Sequence, residues 1–253
     1  MPDLVIARYN EDVSWLSQVP DGYNIFLYNK GDDIDLSSIR HKIHQYVKLE
    51  NIGRESDTYL LHMLGNMSTT DSYTVFSQAD PFEHSPDFLH LLHQSFEGTA
   101  WGYSSQWKYN FPPEHLIKSY MAKTGKPTRD EIFSLYNWGP IYSYDEGAFL
   151  ISNLYFAYYG VANGTNIAAD FFGRIGYDAL QKKAAQATLG VFPYAAVFGV
   201  RNSAVHAVPK DVLLKAVLEV RANNMAGHIM ERLWFHLFGQ PFIALGHPHE
   251  TPA

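Results

Sequence analysis

Short β-branched runs, amphipathic helical stretches set between them, and Asn-, Asp- and Gly-rich loops at their ends predict an α/β fold for this chain. The expected architecture is a single α/β domain around a mixed, mostly parallel central sheet flanked by helices.

Residues 3 to 9, Asp-Leu-Val-Ile-Ala-Arg-Tyr, are stopped by Asn10-Glu11-Asp12, the pattern of a buried strand that delivers its C-terminal end into a loop. Val13 to Val19 follows as one or two helical turns. Tyr23 to Tyr28 is a second strand, ended by Asn29-Lys-Gly-Asp-Asp33, where Gly31 and Asp32 favour a turn. Two short strands with a short helix between them start a βαβ sheet. Val47 to Glu50 reads as a third strand. It leads through Asn51-Ile-Gly-Arg-Glu55 into Ser56 to Met67, whose Tyr59, Leu60, Met63 and Leu64 fall at helical spacing. Tyr73 to Ser77 is a fourth strand, and Pro81 in the loop Gln78 to His84 stops its ladder.

Pro86 to Phe96 carries a helical stripe of Phe88, Leu89, Leu91 and Leu92. From Gly98 to Asp145 the periodicity fades, while Trp101, Tyr103, Trp107, Tyr109, Phe111, Tyr136, Trp138, Tyr142 and Tyr144 accumulate. That composition fits either a loop-rich lobe over the sheet or core. Phe192 to Val200 reads as one late strand. Pro209 opens a helix with Val212 to Val220 as its body, and Gly227 to Phe238 is a last helix closed by Gly239.

The chain holds 26 acidic and 19 basic side chains, a formal charge of −7, which argues against bulk affinity for nucleic acid or anionic lipid. It has no cysteine, so any metal must sit on His, Asp, Glu or carbonyl oxygen. Leu4 to Ala7 is too short for a signal-peptide core. The most apolar long stretch, Gly147 to Ala162, is broken by Ser152 and Asn153 and falls short of the roughly 20 residues of a membrane span. The expectation is a cytoplasmic protein without a transmembrane segment.

In a mainly parallel sheet, ligands bind beyond the carboxyl ends of the strands. Asn10-Glu11-Asp12 and Asn51-Ile-Gly-Arg-Glu55 are polar loops so placed. Gly53 permits close backbone approach and Arg54 can fork onto a phosphate; alternatively Asn51 or Ser56 caps the helix and Arg54 pairs with Glu55 or Glu11. Asp80, with Glu83 and His84 after it, is either a ligand for Mg²⁺ or Mn²⁺ or an ordinary Asp-Pro turn. His247 and His249 in the tail are either further ligands or solvated. On the last helix, His228, Arg232 and His236 cluster opposite a broad apolar face, and Glu231 falls at its edge. A carboxylate there is either paired with an Arg as structure or desolvated and tuned upward as a general base.

The blocks Asp3-Leu-Val-Ile-Ala-Arg-Tyr-Asn-Glu-Asp12-Val-Ser-Trp15, Asn51-Ile-Gly-Arg-Glu-Ser-Asp-Thr-Tyr-Leu60, Thr74-Val-Phe-Ser-Gln-Ala-Asp-Pro-Phe-Glu-His84 and Glu231-Arg-Leu-Trp234, in this order, resemble a little-characterised family of fungi, bacteria and large viruses. Its members resemble GT-A-type nucleotide-sugar glycosyltransferases. The resemblance covers residues 3 to 93 and 192 to 239. It implies one GT-A-like, Rossmann-like domain over 1–253, with a nucleotide-binding part at about 1–97 and an acceptor-side part at about 98–253. For a viral member the location would be the host cytoplasm.

The resemblance also implies roles. Tyr9 and Asn10 would border the nucleoside, and Asn51 with Arg54 would contact ribose or diphosphate of a UDP- or GDP-sugar. Asp80 corresponds to the metal-binding acidic motif, with Gln78 standing where a first Asp is usual and His249 as a substitute ligand for Mn²⁺ or Mg²⁺. Glu231 matches the catalytic base of inverting members. The implied reaction is a metal-assisted displacement at the anomeric carbon by a glycan or other hydroxyl acceptor. Two other functions compete: a metal-dependent nucleotide or phosphoester hydrolase, and a non-catalytic carbohydrate-binding protein that has lost its metal through Gln78.

Overall fold

The structure, a computed structural model, describes residues 1–68, 71–94, 98–103, 131–141 and 145–244. Its main sheet is built from β1 (Asp3–Arg8), β2 (Asn24–Asn29), β3 (Ile43–Lys48), β4 (Tyr73–Gln78), β5 (Ala100–Gly102) and β8 (Phe198–Arg201), ordered β3-β2-β1-β4-β8-β5. The first four strands run parallel, and β8 is antiparallel to both β4 and β5. The sheet is therefore mixed and mostly parallel, as its patterning predicts. A second, two-stranded antiparallel sheet pairs β6 (Glu131–Ser134) with β7 (Leu189–Phe192).

Every residue of β1 is buried, because this strand lies inside the sheet with helices or loops on both faces. Successive side chains alternate between two cores. Val5 and Ala7 join Phe26, Tyr28, Phe76 and Phe198 on one face. Leu4 and Ile6 join Trp15, Leu27, Val75 and Phe88 on the other. The first face is covered by α1 (Arg54–Gly65), α7 (Lys210–Ala222) and α8 (Asn224–Leu237). The remaining described α-helices are α2 (Phe88–Leu91), α3 (Glu146–Tyr159), α4 (Ile167–Arg174), α5 (Asp178–Ala185) and α6 (Asn202–His206), and two short 3-10 helices cover Ser14–Gln18 and Tyr194–Ala196. Among the described residues no helix is long and apolar enough to cross a membrane.

The elements depart from the sequence expectation in identifiable ways. The third strand begins at Ile43, before Val47, because an edge strand carrying His44 and Gln45 shows no apolar run. The helix expected over Pro86 to Phe96 is helical only at Phe88–Leu91. Phe192 to Val200 is two strands in two sheets. Pro193 lacks a donor, and Ala195 (φ 57°) and Ala196 (φ 55°) turn the chain out of extended geometry.

The last helix starts at Asn224, and Asn223 caps it by accepting the Ala226 N–H at 2.8 Å. Gly239 (φ 92°) closes it as expected. Its polar residues Arg232 and His236 are buried beneath the second sheet, so α8 is covered nearly all round. Trp101, Tyr103 and Trp138 of the aromatic region lie in the core, while Trp107, Tyr109, Phe111, Tyr142, Tyr144, His247 and His249 lie outside the described residues.

Candidate functional site

The chain lays down β1, β2 and β3 outward on one side, then returns to place β4 on the other side of β1. The order reverses between β1 and β4, and an open α/β sheet leaves its ligand crevice at that switch, beyond the carboxyl ends. A cavity of about 250 Å³ lies there. Ala7, Arg8, Tyr9 and Glu11 reach it from β1, Lys30 from β2, Gln78 from β4, and Asn51, Arg54 and Glu55 from the start of α1.

Two buried cations shape this cavity by binding backbone. Arg8 donates to Asn29 Oδ1 at 2.7 Å and to the carbonyls of Glu11 (2.8 Å), Tyr9 (3.0 Å) and Asp32 (3.1 Å), tying the loops after β1 and β2 together. Asn10 adds to this tie, its Oδ1 accepting the Asp32 N–H at 2.8 Å. Gly31 fits only because it lacks a side chain: a Cβ there would lie 1.6 Å from the Tyr9 carbonyl oxygen. Lys30 Nζ donates to the carbonyls of Ile52 (2.6 Å) and Arg54 (2.5 Å) and pairs with Asp57 at 3.2 Å. Asp57 in turn receives Arg221 Nε at 2.6 Å. This buried set holds Gly53 (φ 66°) and Arg54 (φ 55°) in left-handed geometry at the head of α1.

No side chain caps α1; Asn51 lines the cavity and Ser56 donates to the Gly227 carbonyl at 3.0 Å. Arg54 reaches past Glu55, with Nε 3.4 Å from Glu55 Oε2. Its Nη1 donates to His228 Nε2 at 2.6 Å. The other carboxyl oxygen of Glu55, Oε1, is buried without a hydrogen-bond partner among the described residues.

His228 and Glu231, one turn apart on α8, line a second cavity of about 380 Å³. Its walls are largely apolar: Trp138, Ala148, Leu150, Ile151, Phe192, Tyr194 and Ala195. Asp145, Arg232 and His84 supply the remaining polar groups. Asp145 caps α3 by accepting the Ala148 N–H at 3.0 Å and also receives Arg232 Nη2 at 2.8 Å. Arg232 further donates to the Trp138 carbonyl and lies 4.5 Å from the Phe192 ring centre.

Arg232 is thus committed to Asp145, and Glu231 makes no hydrogen bond among the described residues. Burial, then the like charge of Glu55, pushes the Glu231 carboxyl up to about 7, against the pull of Arg232 and Arg54. Its side chain keeps 23% exposure, toward the cavity it lines. Burial, followed by the nearby Arg54 and Arg232, pulls His228 down to about 4. His228 is therefore neutral at pH 7 and accepts from Arg54, and its 3.9 Å approach to Glu231 is no ion pair there.

Of the residues singled out from sequence, Tyr9, Asn51 and Arg54 meet in the first cavity and Glu231 lines the second. Asn10 is turned away onto Asp32. Asp80 lines neither cavity; its Oδ1 accepts the Phe82 N–H at 3.2 Å across Pro81, the Asp-Pro turn reading. Among the described residues no three His, Asp or Glu side chains converge to hold a metal ion. His249 lies outside the described residues.

Sequence reasoning did not single out Lys30, and it named Glu55 only within its loop as a partner for Arg54 and His228 only within the polar cluster of the last helix. His228 was open to it, since a residue three before Glu231 on a helix shares its face. No protein-family model, no curated protein and no solved structure matches this chain.

Proposed function

We propose that the chain is a glycosyltransferase that moves a sugar from a UDP- or GDP-sugar to a hydroxyl of a glycan or other acceptor, with inversion. One observation carries this reading: a cavity at the strand switch point abuts, at the 2.6 Å Arg54–His228 contact, a second cavity holding an upward-tuned carboxyl. The first position suits a nucleotide. Tyr9, half exposed at its mouth, would border the base, and Asn51 and Arg54 the ribose and diphosphate.

In this reaction the acceptor O–H gives its proton to Glu231 as its oxygen bonds to the anomeric carbon. The bond from that carbon to the diphosphate oxygen breaks, and its electron pair leaves on phosphate. Arg54, which lines the first cavity, would face this charge with its guanidinium. A carboxyl near 7 is ionised in sufficient fraction to accept a proton at neutral pH and basic enough to pull it. No step is routed through a metal ion.

The test is release of nucleoside diphosphate from UDP- and GDP-sugars, with and without simple sugar acceptors, by the wild type and Glu231→Gln. Acceptor-dependent release, lowered at least about 100-fold in the variant, is expected. Release that ignores the acceptor would point to a hydrolase, and no release with any donor would remove the transferase reading.

A further inference from the structure

The second cavity opens onto an apolar surface that the transfer reaction does not use. Leu150 lines the cavity and is 57% exposed, and Leu154 (48%) and Tyr158 (58%) continue the same face of α3 at successive turns. Side chains four apart on a helix stack on one side. Three of the eight large hydrophobic residues left exposed among the described residues thus form one stripe that begins at the wall of the cavity holding Glu231. Contiguous apolar surface of this kind marks contact sites for partners or ligands.

We propose that the acceptor is amphipathic, with its hydroxyl-bearing head at Glu231 and an alkyl-type tail along Leu150, Leu154 and Tyr158; this rests on the transferase reading of the site. The cavity combines polar groups that suit a hydroxyl-bearing head, Glu231, Asp145, His228, Arg232 and His84, with apolar walls, and Leu150 belongs both to those walls and to the exposed stripe. The stripe spans about 12 Å, the reach of a medium-length alkyl chain. An anionic membrane is a poorer occupant: α3 carries no Lys or Arg, and its one charged residue is Glu146. The helix is also a firm bed for a tail, since its first turn is fixed to α8 through Asp145 and Arg232.

The test is calorimetric binding of methyl, hexyl and octyl β-D-glucosides, below their micellar concentrations, to the wild type, Leu154→Asp and Tyr158→Ser. A half-covered tail should tighten binding about twofold per methylene, or about 100-fold from methyl to octyl. In either variant, at exposed positions where folding is checked by circular dichroism, most of that gain should vanish. Equal affinity across the series, no binding of any glucoside, or a length dependence that survives both variants would overturn the proposal. So would a dimer in sedimentation that Leu154→Asp dissociates while alkyl binding stays absent, which would make the stripe a contact between copies. None of these titrations needs a nucleotide, so failure of the transferase reading is scored separately, by nucleotide binding.

Discussion

Arg54 Nη1 lies 2.6 Å from His228 Nε2, and this contact joins the head of α1 to α8 at the border of two cavities. One partner lines the cavity at the strand ends, the other the cavity that holds Glu231. The arrangement places a fixed cation beside one cavity and a proton acceptor in the other, which is what a two-substrate displacement needs.

Glu231→Gln should lower turnover about 10² to 10⁴-fold and abolish a rise in rate as pH passes through about 7. The same variant changes stability with a defined sign. Because the folded-state value is raised, the neutral carboxyl is favoured in the fold, and that advantage is lost as pH rises through about 7. Glu231→Gln should therefore gain on the wild type above pH 7, by on the order of 2 kcal/mol, and little at pH 4. Urea titrations at both pH values check this.

Glu55→Gln removes the like charge that helps hold Glu231 up, so the inflection in the pH–rate profile should move to lower pH. A profile unchanged in this variant would separate the two carboxyls.

Asp57→Ala should destabilise the protein by about 3–5 kcal/mol in urea unfolding. It leaves Lys30 buried without its carboxylate and frees Arg221. The backbone turn at Gly53 and Arg54 should loosen with it, so nucleotide binding should weaken as well.

Gly31→Ala forces a Cβ into the Tyr9 carbonyl, and overpacking of this kind costs about 1–3 kcal/mol. The loops after β1 and β2 should separate, which a drop in melting temperature together with weaker nucleotide binding would report.

The parallel half of the sheet was legible because β1, β2 and β4 are buried strands whose β-branched runs end in polar turns. β3 was half legible, since an edge strand exposes polar residues and carries no apolar signature. The late strand misled because Phe192, Val197, Phe198 and Val200 are apolar for two separate sheets, and only Pro193 hinted at the break. Of the site, Arg54 and Glu231 were readable as types of residue at loop and helix positions. Their neighbourhood was not: it arises from packing α1 against α8, through Ser56 and the Gly227 carbonyl, over a long sequence separation. Asp80 was ambiguous from the start, because an Asp before Pro serves a turn as readily as a cation, and its Oδ1 does accept the Phe82 N–H.

The most direct test of the account is a thermal-shift panel of UDP, GDP and CDP, with and without Mn²⁺, on the wild type and Arg54→Gln. Ligands that bind only the native state raise its melting temperature by mass action, by about 5 °C at a hundredfold excess over the dissociation constant for a chain of this size. One nucleotide should produce such a shift in the wild type, and Arg54→Gln should abolish it. A wild type that no nucleotide stabilises, or a variant that responds as the wild type does, would contradict the assignment of the strand-end cavity to the donor.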